Sequence, residues 1–151
     1  AYIQPVFIDL DMNTVEPAIG AQRMDKVYAW KSMLDMGIHT SGGSDAPVVS
    51  FDAMENIYFA VTRKNISGQP QEGWIPSEKI SVDEAVKLFT KNAAYASYTE
   101  DENGTIEVGK NADFVVLEKN IYEIDPDEIK TTKVDMTVLG GEIVYEREVE
   151  E

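Results

Sequence analysis

The chain has 151 residues, a net charge of −15 and no cysteine. The lack of thiols excludes disulfides, zinc fingers and thiol chemistry, and it favours a cytoplasmic protein. The acidic balance, with no cluster of Lys and Arg, argues against nucleic-acid and anionic-membrane partners, and no apolar run approaches the roughly 18 residues that span a bilayer.

The first part of the chain predicts strands and helices in alternation. Residues 2–8 are typical of a strand end that runs into a loop, because Pro5 cannot donate a ladder hydrogen bond. Residues 9–19 are rich in polar residues and predict a loop. Residues 21–36 carry apolar side chains at helical spacing and predict one helix, which Gly37 ends.

A short buried strand is predicted over residues 38–41, followed by the glycines of a turn that presents Asp45. A carboxylate at the C-terminal tip of a strand lies where α/β barrels keep their catalytic groups. Asp45 could ligate a divalent metal and accept a proton from metal-bound water. The alternative is an Asx turn or a helix cap, since Ser-Asp-x-Pro is common in loops. The motif alone favours that alternative.

Two further residues are candidates for substrate binding. Arg23 could clamp a substrate carboxylate through its planar fork, although a surface ion pair with Asp25 or another acidic residue is an equally good interpretation. Gln4, at a strand end, could donate to a substrate or only satisfy nearby backbone. His39 is the only histidine of the chain, and within a strand we expect it to pack rather than to bind a metal.

The second half changes from helix to strand. A helix is predicted over residues 51–62, a long excursion over residues 65–79, and a helix from Ser81 to Ala96 that a Ser81–Glu84 capping box begins. Later apolar runs predict a strand over residues 114–117 and a hairpin over residues 133–145 around two glycines. Most of the negative charge also falls after residue 100, which suggests a boundary there.

Taken in order, these motifs resemble the C-terminal part of the metal-dependent amidohydrolases, specifically the amidohydrolase family 3 (YtcJ-like) group. Gly42–Val48 resembles the end of the eighth barrel strand, and Gln4 lies at the end of a segment that resembles the seventh. Residues 80–94 resemble a late helix that packs under the barrel. Gly104–Leu117 is the strongest match, to a Gly-x-Ile-x-x-Gly-x-x-Ala-Asp motif that leads into a small β-sandwich, and its Asp113 is expected to be structural.

The resemblance implies an α/β fold that is the C-terminal portion of a (β/α)8 TIM-type barrel, residues 1–99, plus strands of a composite β-sandwich, residues 100–151. It implies a divalent metal, zinc or a related ion, held by histidines, often a modified lysine, and an aspartate. Asp45 is the one ligand with a counterpart here. By analogy it binds metal and shuttles protons as water attacks a C–N bond, while Arg23 corresponds to an arginine of substrate contact or site architecture.

We therefore expect a fragment of a hydrolase that acts on non-peptide C–N bonds and is inactive alone, because a whole barrel takes about 200 residues or more. Its expected partners are a small-molecule substrate and the missing N-terminal part of the same chain. Exposed barrel edges invite pairing between copies, which predicts a homo-oligomer. The alternatives are a non-enzymatic module that binds a ligand or a partner, and a scaffold domain in which Asp45 is only a turn residue.

Overall fold

The structure is a computed structural model that describes residues 1–148. It is a mixed α/β fold, and no helix of this part of the chain is long and apolar enough to cross a membrane. Its strands and α-helices, in chain order, are β1 (Tyr2–Ile3), α1 (Phe7–Asp11), α2 (Val15–Ile19), α3 (Trp30–Asp35), β2 (Ser41–Gly42), α4 (Ala53–Thr62), α5 (Val82–Leu88), α6 (Lys91–Ala96), β3 (Phe114–Leu117), β4 (Val134–Leu139) and β5 (Glu142–Glu146). Short 3-10 helices cover Ala21–Lys26, Pro76–Glu78 and Pro126–Thr131.

The strands form two separate sheets. β1 and β2 pair in parallel, with Tyr2 opposite Ser41. The other three pair antiparallel in the order β3-β4-β5. The predicted hairpin is confirmed, since Gly140 and Gly141 join β4 to β5 with φ of +58° and +84°, the left-handed values that a two-residue hairpin turn requires.

The N-terminal half contains more helix breaks than its apolar spacing predicts. The predicted loop over residues 9–19 is wrong, because α1 and α2 occupy it. The predicted helix over residues 21–36 is a 3-10 helix and then α3, separated at Tyr28 by a φ of +48°. The ring of Tyr28 packs 5.7 Å from both Trp30 and Trp74, and its hydroxyl donates to Asp11. These contacts outweigh the local preference for one continuous helix.

The segment after Ser81 begins as predicted but turns part-way. The capping box is confirmed, with the Ser81 hydroxyl accepting from the Glu84 amide at 3.2 Å and the Glu84 carboxylate accepting from the Ser81 amide at 2.7 Å. The predicted single helix to residue 96 is wrong, because Thr90 has φ −126° and ψ −99° and separates α5 from α6. The break redirects α6 toward β2, where Asn92 donates to the carbonyl of Thr40 at 2.9 Å.

One hydrophobic core joins both parts of the chain. α4 lies at its centre, begun by the Asp52 carboxylate, which accepts from the Met54 amide at 2.7 Å. The core includes Tyr58 and Phe59 of α4, Leu88 of α5 and Ile129 of the last 3-10 helix. Residues 1–99 and residues 100–148 are therefore packed together, and the domain boundary near residue 100 stays a prediction.

Arg63 ends α4 as a buried cation between aromatic rings. Its guanidinium carbon lies 4.7 Å from the ring centroid of Trp30 and 5.7 Å from that of Trp74. Its Nε donates to the Trp74 carbonyl at 2.6 Å and its Nη1 to the Tyr28 carbonyl at 2.9 Å. Burial lowers the pKa of Arg63 to about 10, although the negative charge of Glu78 acts to raise it. The side chain is therefore still charged at neutral pH. It ties the excursion after α4 to the turn before α3.

We expect Arg63→Lys to lower the free energy of unfolding by about 3 kcal/mol. The lysine ammonium cannot reproduce both the hydrogen bonds from Nε and Nη1 and the contact of the guanidinium with two indole rings. The measurement is urea unfolding followed by tryptophan fluorescence. Arg23→Lys is the matched control: Arg23 is exposed, so the change is expected to stay within about 0.5 kcal/mol. Equal effects of the two substitutions would contradict the role assigned to Arg63.

Candidate functional site

The site is built on the paired C-terminal ends of β1 and β2. The Gly43 amide donates to the Ile3 carbonyl at 2.9 Å, one residue beyond the last register pair. Gln4 follows β1 and Asp45 follows β2, so both leave the same end of this parallel pair. The strand before Asp45 is Ser41–Gly42, later and shorter than the predicted residues 38–41.

Asp45 has an unusual backbone and a free carboxylate. Its φ is +63°, a left-handed value that aspartate tolerates better than most residues. Its carbonyl accepts from the Val48 amide at 2.9 Å, but its carboxylate accepts no hydrogen bond from any residue between 1 and 148. Pro47 has no N–H to offer it. The bond that would define an Asx turn or a helix cap is therefore missing, and the exposed carboxylate is available for chemistry.

The corner between α5 and α6, formed by residues 89–92, packs against the strand that leads into the Asp45 loop. A Cβ atom at Gly42 would lie 2.7 Å from Cζ of Phe89, so a side chain at this position would have to displace the ring. Thr40 lies two residues before Gly42, and its carbonyl accepts a hydrogen bond from the side chain of Asn92. Both Thr40 and Ser41 are buried. The base of the loop is fixed while its tip is exposed.

The two predicted substrate-binding residues lie in different surroundings. Gln4 is half-buried beside the strand end, and its backbone carbonyl accepts from the Phe7 amide at 3.2 Å. Arg23 is exposed on the first 3-10 helix. The ion pair considered for it does not form in the described residues, because Asp25 pairs with Lys26 at 2.9 Å. No hydrogen bond or ion pair over residues 1–148 joins Arg23 to Gln4 or Asp45.

His39 lies at the other end of β2. It precedes the strand by two residues, whereas Asp45 follows it. Its ring stacks on Tyr95 with centroids 4.1 Å apart and an angle of 16° between planes. His39 is exposed and precedes the strand, so the packing within a strand that the sequence predicts is not found, and the ring contact of His39 is this stack on Tyr95.

The donor set of residues 1–148 does not fit a complete metal centre. Over that range, no three His, Asp or Glu side chains come close enough to share an ion. Asp45 offers a single carboxylate, whereas zinc takes about four ligands and calcium about six to eight. Other donors of any centre at this strand end would have to come from outside the described residues.

Two residues that support the site carried only a weak sequence signal. Phe89 and Asn92 lie in a stretch where the apolar spacing predicts one continuous helix. Periodicity identifies the buried face of such a helix, but it does not show that Thr90 breaks it. Without the break, the contact of Asn92 with Thr40 has no basis in the sequence.

Comparison with known proteins assigns the chain to a family. Residues 1–145 match a family described as "Amidohydrolase family". The chain belongs to the amidohydrolase family. The chain is 38% identical over 145 residues to YtcJ of Bacillus subtilis (strain 168), which is named as an amidohydrolase. This similarity confirms the resemblance to the YtcJ-like group.

Other amidohydrolase-like proteins are also similar. The chain is 35% identical over 122 residues, 81% of its length, to an N-substituted formamide deformylase of Arthrobacter pascens. Among solved structures, an uncharacterized metal-dependent hydrolase of Pyrococcus furiosus is 26% identical, with a TM-score of 0.61 over 74% of this chain and 21% of that one. The match to YtcJ covers 96% of this chain but 27% of YtcJ, and the match to the deformylase covers 22% of that protein. The chain therefore spans about a quarter of the length of these relatives.

Proposed function

We propose that this amidohydrolase chain is the C-terminal part of a metal-dependent enzyme that hydrolyses a non-peptide C–N bond of a small molecule, and that Asp45 is its catalytic carboxylate. The observation that carries the proposal is the free carboxylate of Asp45 in a left-handed turn at a strand tip. Strained backbone positions of this kind concentrate at functional sites. The relative from Arthrobacter pascens is named for a reaction on such a bond.

The chemistry requires one group that moves a proton. In hydrolysis of a formamide, the water oxygen bonds to the carbonyl carbon, the C–N bond breaks, and the nitrogen leaves as an amine. Asp45 would accept the proton that the water loses and deliver it to the departing nitrogen. Gln4, at the neighbouring strand end, would donate its side-chain amide to the substrate. Arg23 would hold an anionic substrate group through its guanidinium.

The proposed metal, zinc or a related divalent ion, depends on the rest of the protein. Asp45 would be one of its ligands, and the remaining donors would come from the N-terminal part that we propose for the complete protein. The chain alone is therefore proposed to be inactive. A cytoplasmic location is the setting that we propose for such an enzyme, on the same cysteine-free composition.

We expect Asp45→Asn to lower turnover of formanilide by the complete protein about 100-fold or more, because an amide cannot accept the proton that general base catalysis transfers. Release of aniline from this N-substituted formamide gives the rate.

Asp113→Asn is the matched control for this substitution. Asp113 is exposed and its carboxylate accepts from the Gly140 amide at 2.7 Å, a bond that the Asn oxygen retains. We expect this variant to keep the turnover of the unsubstituted protein. Formanilide hydrolysis that survives Asp45→Asn, or is absent from the complete protein, would contradict the proposal and favour the scaffold or ligand-binding alternatives.

The three-stranded sheet gives a reason why the isolated chain would self-associate. Apolar residues of both outer strands are exposed, among them Val115 of β3 and Ile143, Val144 and Tyr145 of β5. In the complete protein we propose that segments outside this chain cover them. In the isolated chain, the same apolar surface of a second copy could cover these residues, and the edge of β5 offers unpaired backbone groups for pairing.

We expect the isolated chain to have a mass above its 16.8 kDa in light scattering at low micromolar concentration. Ile143→Lys with Val144→Lys is expected to shift it toward the monomer, because charged side chains on an edge strand block pairing. Glu16→Lys, at an exposed position of α2, is the control that changes charge away from the sheet. A monomeric peak for the unsubstituted chain would contradict this account.

A further inference from the structure

We infer that Asn92 is a positioning residue for Asp45: from α6 it fixes the end of β2 and so sets where the carboxylate lies. The inference rests on the proposed function, since it names the residue that holds the proposed catalytic loop. Asn92 has no contact with Asp45 and acts through the backbone of the strand between them.

The contact is direct and its surroundings are buried. Nδ2 of Asn92 donates to the carbonyl of Thr40 at 2.9 Å, across 52 residues of sequence. Thr40 is 1% exposed, so its carbonyl has little access to water. Loss of the donor would leave a buried acceptor unsatisfied, which destabilises the start of the strand. The amide of Asn92 is therefore one of the groups that hold the start of β2 in place.

A second contact from the same corner restrains the strand two residues later. The ring of Phe89 lies against Gly42, with no room for a Cβ atom between them. The Asn92 bond and the Phe89 ring thus hold β2 on either side of Ser41. On its other side, β2 is held to β1 by the bond from the Gly43 amide to Ile3. Asp45 follows this clamped strand after a turn of only two residues.

The corner exists because α5 and α6 are separate helices. The break at Thr90 gives α6 its own direction, and Asn92 is its second residue. Ser97, the exposed residue that follows α6, donates to the Ala93 carbonyl at 3.1 Å. Asn92 and Ser97 therefore form a matched pair: both side chains donate to a backbone carbonyl, but only that of Asn92 reaches β2.

The test compares Asn92→Asp with Ser97→Ala in the complete protein. The aspartate has the same shape as Asn92 but turns an oxygen toward the Thr40 carbonyl. Two readouts are taken: steady-state hydrolysis of formanilide, and hydrogen–deuterium exchange of the peptide that covers residues 41–48. We expect kcat to fall about 10- to 100-fold, with KM nearly unchanged, because displacement of the catalytic group by about 1 Å disturbs the reaction more than binding.

The exchange readout requires no turnover. We expect residues 41–48 to exchange about 10-fold faster in Asn92→Asp, from the loss of one buried hydrogen bond, and to be unchanged in Ser97→Ala. If Asn92→Asp does not fold, Asn92→Ala removes the donor without adding repulsion and is expected to give the same two effects.

Three results would overturn the inference. If Asp45→Asn abolishes turnover but Asn92→Asp and Asn92→Ala change neither kcat nor exchange, Asn92 does not position the loop and the proposed function stands. If Asp45→Asn leaves turnover intact, the proposed function fails and the catalytic part of this inference fails with it. A rise in KM with kcat unchanged in Asn92→Asp would also overturn it, because that pattern indicates a binding role.

Discussion

The parallel pairing of β1 with β2 is the interaction on which the candidate site depends. These two short strands are 38 residues apart in sequence, and the pair Tyr2–Ser41 sets their register. Parallel strands bring their carboxyl ends to the same edge of a sheet, which is why Gln4 and Asp45 leave it together. The helices between and after the strands supply the packing that makes so short a pair possible, since two-stranded sheets are marginal without it.

That packing depends on charged and polar groups placed inside the core. The buried guanidinium of Arg63 joins backbone carbonyls from two distant segments and lies against two indole rings. Glu78, also buried, accepts from the amide of Ser32 at 2.9 Å and so satisfies the start of α3. Each group satisfies backbone that would otherwise be unpaired in the interior, so the irregular turns near Tyr28 and Trp74 are fixed by bonds rather than by regular secondary structure.

The sequence predicts some elements well because their causes are local. The Ser81–Glu84 capping box and the hairpin at Gly140–Gly141 depend on residues within a few positions of each other. The position of Asp45 after a strand also followed from local glycines. The helix predicted over residues 21–36 is interrupted at Tyr28, because the hydrogen bond of Tyr28 to Asp11 and its ring contact with Trp74 join segments far apart in sequence. The break at Thr90, and with it the role of Asn92, was hidden for the same reason.

The site itself was predictable as a position but not as a geometry. The Asx-turn interpretation of Asp45 was reasonable from Ser-Asp-x-Pro, and what weighs against it is a carboxylate without a partner among residues 1–148. Residues 1–148 bring together no set of three donors for the proposed metal, and the one histidine of the chain stacks on Tyr95 at the other end of β2. We therefore propose that this chain contributes one catalytic carboxylate and the scaffold that positions it.

The most direct test is X-ray diffraction from crystals of the complete protein, with anomalous data collected at the zinc edge. The account predicts an anomalous peak at about 2.0–2.2 Å from a carboxylate oxygen of Asp45, the bond length of a zinc ligand. A metal centre that forms without Asp45, with its carboxylate turned to solvent, would contradict it.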